Sequence, residues 1–88
     1  MTDTEVIDII NDSMIKEFEF NPSSMTPDAH LVEDLGMDSL DFVDLVVVIQ
    51  NAFGVKLRDE PKVRNIETLG DLHKLVMDKK RELEAGVK

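Results

Sequence analysis

Between residues 5 and 18, Val6, Ile10, Met14 and Phe18 recur at every fourth position, with Ile7, Ile9 and Ile15 beside them. Side chains three and four apart share one face of a helix, so this segment predicts an amphipathic α-helix. Thr2, three residues before Glu5, supplies a capping box for its start. Asn21-Pro22-Ser23-Ser24 and Thr26-Pro27-Asp28 then break the pattern. Proline cannot continue a helix, so the prolines are expected to stop this one and to shape a long loop. Leu31, Val32 and Leu35 are apolar points that can pin the loop to a core, and Gly36 allows a turn.

A second helical period begins at Ser39 and runs to Phe53. Asp38 suits the N-cap, Asp41 lies near the positive end of the helix dipole, and Gly54 supplies a stop. Wound at about 100° per residue, the segment places Phe42, Leu45, Val46, Ile49 and Phe53 on a core face. The opposite face carries Leu40, Asp44, Val47, Val48 and Asn51, and most of it is apolar where water is expected. Such a cluster beside Ser39 suggests a docking surface, and burial of the helix on two sides is the other explanation. The valines at 46–48 have strand composition, but the flanking period and caps are helical.

Pro61 is expected to start a short helical turn, with Val63 and Ile66 inward. A last helix begins near Thr68, with Asp71 three residues later and Leu69, Leu72, Leu75 and Val76 as its apolar face. The charged chain from Asp78 is expected to fray. The predicted fold is all-α: a small four-helix bundle of three main helices plus a short third one, with a long first loop. One domain covers residues 1–88, with a core over about 3–78 and a charged tail at 79–88.

An 88-residue chain buries a thin core and leaves little room for a deep active site. It has no cysteine, which excludes disulfides and thiolate metal sites. No run approaches the roughly 18 apolar residues of a membrane span. The start, Met1-Thr2-Asp3-Thr4-Glu5, lacks the basic region of a signal peptide, so a cytoplasmic protein is expected. The net charge of −9 is unevenly placed: residues 1–44 hold 12 acids and one base, Lys16, whereas residues 45–88 hold 7 acids and 9 bases. The acidic half repels nucleic acid and attracts proteins with basic patches.

That half contains "EDLGMDSLDFVDL", residues 33–45, in which Ser39 stands among Asp34, Asp38, Asp41 and Asp44. A nucleophilic serine needs a base and an oxyanion hole. The two histidines, His30 in the loop and His73 on the last helix, read as surface residues, and there is no Gly-x-Ser-x-Gly elbow. The aspartates do not follow the spacing of a calcium-binding EF-hand loop, so no specific metal site is expected. Asp38 already fills the cap, which leaves the Ser39 hydroxyl exposed at the positive end of a helix. That position permits a phosphodiester without requiring one.

"VEDLGMDSLDFVDLVVVIQNAFGV" resembles the signature of acyl carrier proteins, Leu-Gly-x-Asp-Ser-Leu-(Asp/Glu), met here by Leu35, Gly36, Asp38, Ser39, Leu40 and Asp41. The resemblance covers most of the chain, through the first helix, long loop, Asp-Ser-Leu helix, short third helix and last helix. It implies a non-catalytic protein. Ser39 would receive 4'-phosphopantetheine from coenzyme A through a phosphopantetheinyl transferase (holo-ACP synthase). The thiol of the arm would carry acyl groups as thioesters, which also accounts for the absence of cysteine. Implied partner contacts are Asp38, Leu40, Asp41 and Asp44, extended along the helix to Val47 and Val48. Phe42, Val43, Val46 and Ile49 would border an acyl cavity, with Phe42 limiting or gating it.

Implied partners are a ketosynthase, an acyltransferase or acyl-activating enzyme, and reductases or dehydratases, served by a monomer in fatty-acid, polyketide or related biosynthesis. Housekeeping fatty-acid carriers end this helix in glutamates, whereas Val47–Ala52 carries no charge here. Their next region is acidic, and this one holds Lys56, Arg58, Lys62 and Arg64. A specialised carrier is therefore expected. Peptidyl, aminoacyl and D-alanyl carriers share the serine arm and stay open, as does an unmodified helical adaptor.

Overall fold

The computed structural model describes residues 2–57 and 61–84, except the side chains of Pro61 and Arg64. Three helices form it: α1 (Asp3–Phe18), α2 (Ser39–Phe53) and α3 (Leu69–Glu84). Two 3₁₀ turns join them, Pro22–Ser24 in the first loop and Pro61–Asn65 before α3. The expected short third helix is thus a 3₁₀ turn, and the turn at Pro22–Ser24 is an addition. No strand occurs among the described residues; His30 and Thr68 form one isolated antiparallel bridge. Arg58, counted among the basic residues that set this chain apart, lies outside the described residues, as does the end of the tail at 85–88.

Each helix starts on a reciprocal cap. Thr2 and Glu5 form the capping box of α1. Asp38 and Asp41 form that of α2, at 3.0 and 3.1 Å. Thr68 and Asp71 do the same for α3, with both bonds at 3.1 Å. The two bonds in each box satisfy backbone donors that no earlier turn can accept from.

The ends differ more. α2 stops at Gly54, whose φ of 68° closes the helix at little steric cost. α1 stops with Glu19 at φ 57°, so the chain has already left the helix before Pro22. The flanking Phe18 and Phe20 stack across that corner at 5.4 Å, an apolar contact that helps hold a non-glycine residue in the left-handed region.

Val6, Ile10 and Met14 of α1, Leu45, Ile49 and Phe53 of α2, and Leu69, Leu72, Leu75 and Val76 of α3 make the core. Leu31 and Met37 from the loop and Val55 and Leu57 after α2 close it. Phe42 and Val46, expected in the core, only pack half-buried against its edge. The loop is strapped to the start of α3 by backbone bonds: Leu31 N–H donates to Glu67, Leu69 N–H to Ala29, and Gly70 N–H to Pro27, at 2.8, 2.9 and 2.9 Å. A β-carbon on Gly70 would lie 3.0 Å from the Pro27 oxygen, so any larger residue there would push the loop back by a few tenths of an ångström.

The chain from Asp78 does not fray at once but continues α3 to Glu84. Arg81 reaches Asp78 one turn back and Asp3 at the start of α1, at 3.7 and 3.4 Å. His73 Nε2–H donates a 2.8 Å bond to Asn11 Oδ1 across the same interface. The pairs 3/81 and 11/73 show that α1 and α3 run antiparallel.

Candidate functional site

Ser39 is the first residue of α2, and it is exposed. Asp38, extended at φ −112° and ψ −174°, turns the chain into the helix and spends its carboxylate on the Asp41 N–H. Asp41 returns the bond to the Asp38 N–H. The first intrahelical bond goes from Phe42 N–H to the Asp38 carbonyl. The N–H groups of Ser39 and Leu40 therefore have no backbone acceptor in the preceding turn, and they face outward beside the serine hydroxyl. An exposed hydroxyl with such donors fits a phosphodiester, although the two engaged carboxylates oppose its charge.

Met37, buried immediately before the cap, anchors the turn from below and donates its N–H to the Leu31 carbonyl at 3.0 Å. Gly36 has a φ of 72°, as the bend into that anchor needs.

An open groove of about 900 Å³ begins at Ser39. Phe42 and Val43 of α2 form one side, and Val63 and Ile66 of the following segment form the other. His30, Val32, Glu33 and Glu67 complete its lining. The Asp38 cap, the strapped loop and the start of α3 thus converge at one end of the bundle.

Comparison with known proteins bears on this geometry. The phosphopantetheine attachment site family matches residues 8–76. Acyl carrier protein 2 of Ralstonia nicotianae is 36% identical over 72 residues, covering 82% of this chain and 88% of that protein. The chain belongs to the acyl carrier protein family.

The acyl carrier protein of Wolinella succinogenes is 34% identical over 67 residues, 76% of this chain and 87% of that relative. Acyl carrier protein AcpXL of Brucella melitensis is 39% identical over 54 residues, 61% of this chain and 58% of its own length. As a member of this family the protein is a carrier and not an enzyme, and its cofactor is 4'-phosphopantetheine. Carriers of the family work with a phosphopantetheinyl transferase and with biosynthetic enzymes.

The structure distributes the expected site residues in three ways. Leu40 is 75% exposed, Val43 61% and Val47 41%, one stripe along α2 with the exposed Asp44 at its side. Val43, expected to border an acyl cavity, lines the groove beside Phe42 while most of its side chain stays exposed. Ile49 has no exposed surface and belongs to the central core, and Val46 is half-buried. Neither lines the groove, whereas Phe42 does. Val48, expected on the exposed face, is half-buried.

Both histidines depart from the sequence reading as surface residues. His73 is 4% exposed, and burial holds its pKa below the usual histidine value. His30 is half-buried, and its Nδ1 accepts the N–H groups of Val32 and Glu33 at 3.3 and 3.1 Å. It therefore caps the 31–35 turn, a role usually taken by serine, threonine, asparagine or aspartate. No group of metal-binding side chains occurs among the described residues, and no described helix is long and apolar enough to cross a membrane.

Proposed function

We propose that Ser39 is the attachment point of the 4'-phosphopantetheine arm and that the protein delivers arm-borne acyl thioesters to biosynthetic enzymes. The observation that carries this reading is the exposed hydroxyl at the first residue of a capped helix, within Asp-Ser-Leu and inside the matched family region. In the transfer, the Ser39 oxygen forms a bond to the β-phosphorus of coenzyme A, 3',5'-ADP leaves, and the transferase takes the hydroxyl proton. No base is needed in this chain, which fits a serine with no histidine hydrogen-bonded to it. When bound, the arm supplies a thiol that holds acyl groups as thioesters.

Coexpression with a broad-specificity transferase and intact mass measurement tests this. The expected result is a mass gain of one phosphopantetheine in the wild type and none in Ser39→Ala. An unmodified wild type, or a modified variant, would overturn it.

The stripe of Leu40, Val43 and Val47, edged by Asp38, Asp41 and Asp44, supports a partner surface that is acidic at the serine end and neutral beyond it. Val48 contributes its exposed edge. This mixed surface favours a dedicated ketosynthase, acyltransferase or acyl-activating enzyme over the general fatty-acid cycle, because partners selected for an acidic helix lose their charge complement beyond Asp44. In a reconstituted fatty-acid synthesis, this carrier should support elongation at least tenfold more slowly than the housekeeping carrier, the effect of about 1.4 kcal/mol of lost partner affinity. Comparable rates would refute the specialised reading.

A further inference from the structure

The groove that starts at Ser39 is not a plain apolar slot. Phe42 and Val63 give it apolar walls, but His30, Glu33 and Glu67 also line it. The His30 ring has a defined hydrogen-bonding state. Its Nδ1 accepts two backbone N–H groups, of Val32 and Glu33. A nitrogen that accepts carries no proton, so the neutral ring holds its proton on Nε2. Nε2–H is then the polar atom of His30 left over for the groove. The two glutamates contribute acceptors and negative charge.

We propose that His30 is a specificity-determining residue of the carrier. Its Nε2–H donates to an oxygen on the acyl chain borne by Ser39, and the groove thereby favours neutral, hydroxylated chains. The occupant is the chain's own cargo, carried on an arm that starts at the Ser39 edge of the groove and reaches it by folding back along the Phe42 wall. A hydroxyl near the attachment end accepts from Nε2–H and donates to Glu33 or Glu67. A saturated chain uses the Phe42 wall but leaves all three polar groups to water. A chain ending in a carboxylate meets the two glutamates and is repelled. This inference rests on Ser39 as the attachment point.

The test loads Ser39 enzymatically with three chains of equal length: saturated, 3-hydroxylated and carboxylate-ended. Intact mass confirms each product, and thermal unfolding reads the stabilisation. In the wild type the hydroxylated chain should raise Tm by about 4 °C more than the saturated one, the effect of one added hydrogen bond in a domain of this size. The carboxylate-ended chain should add nothing. His30→Ser keeps an oxygen to cap the 31–35 turn and removes the ring N–H. In that variant the hydroxylated and saturated chains should stabilise equally.

His30→Ala, which loses the cap too, lowers every Tm together if His30 has only a structural role. Equal stabilisation by the hydroxylated and saturated chains in the wild type overturns the proposal. So does a difference that persists in His30→Ser, or a carboxylate-ended chain that stabilises as well as the hydroxylated one. A wild type that the transferase leaves unloaded shows its unchanged mass and removes the attachment reading itself, and this inference with it.

Discussion

The His73 ring is buried between α1 and α3 against Asn11, which holds its pKa below the usual histidine value. Burial disfavours the charged form, so the unfolded chain binds its proton more readily than the folded one. Stability is therefore unaffected by this group above the ordinary histidine pKa of about 6.5 and falls as pH drops below it toward the depressed folded value. Asp71 and Glu5 act in a lower window. Backbone N–H groups, of Thr68 and Glu67 for Asp71 and of Thr2 for Glu5, hold both carboxyls below their usual values. Their contribution persists above the ordinary carboxylate range and is lost as pH falls through the folded pKa. Denaturant midpoints measured from pH 7.5 to 5 should decline in the wild type and stay flatter in His73→Gln; parallel profiles would exclude His73 as the cause.

Gly70 illustrates a different kind of constraint at one position. Replacing glycine by alanine inside a helix normally gains about 0.5–1 kcal/mol. Here the new methyl would sit 3.0 Å from the Pro27 oxygen, the same atom that accepts the Gly70 N–H at 2.9 Å. The oxygen cannot retreat without weakening that bond, so the contact should outweigh the helix gain. Gly70→Ala is expected to lower Tm by a few degrees, about 1 kcal/mol in a domain of this size. An unchanged or raised Tm would show that the loop gives way easily.

The three helices were legible because their signals are local. Thr2/Glu5, Asp38/Asp41 and Thr68/Asp71 each lie three residues apart, and the apolar periods begin beside them. What sequence did not reveal depends on residues distant along the chain. Arg81, in the part of α3 beyond Asp78, pairs with Asp3, and His73 is buried against Asn11; neither partner is visible from a local window. The groove is similar. Ser39 and Phe42 were singled out from the motif, but His30 joins them only because backbone bonds strap the loop to α3.

A hint existed, in a histidine standing two residues before Val32 at the start of a tight turn. Val43 lies between the two faces of α2, where a periodic pattern cannot decide. Phe42 is the bulky group on α2 that faces the groove. Carried acyl chains should stabilise the protein up to a short length and then plateau, and Phe42→Ala should move the plateau to longer chains. Steady stabilisation to long chains in the wild type would contradict that role.

Across the whole molecule the question is which charges a partner feels. The net charge is −9 on a body of 35 × 25 × 20 Å. At physiological ionic strength the Debye length is about 8 Å, so most of that charge is screened from any one docking point. Asp44 lies five residues along α2 from Ser39, a rise of about 7.5 Å, within that range. Glu82 lies near the far end of α3. The start of α3 borders the groove with Ser39, and a helical rise from Leu69 to Glu82 is about 20 Å, more than two screening lengths away.

Asp44→Asn and Glu82→Gln change the net charge equally. If encounter with the basic face of a phosphopantetheinyl transferase is steered locally, only Asp44→Asn should slow association near 150 mM salt, by about two- to fivefold, an effect of about 0.4–1 kcal/mol. At 10 mM salt the Debye length grows to about 30 Å and spans the molecule, so Glu82→Gln should then begin to slow association as well. Stopped-flow association rates across this salt range separate the cases. Equal slowing by both variants at 150 mM would mean that net charge, rather than the acids beside Ser39, governs recognition.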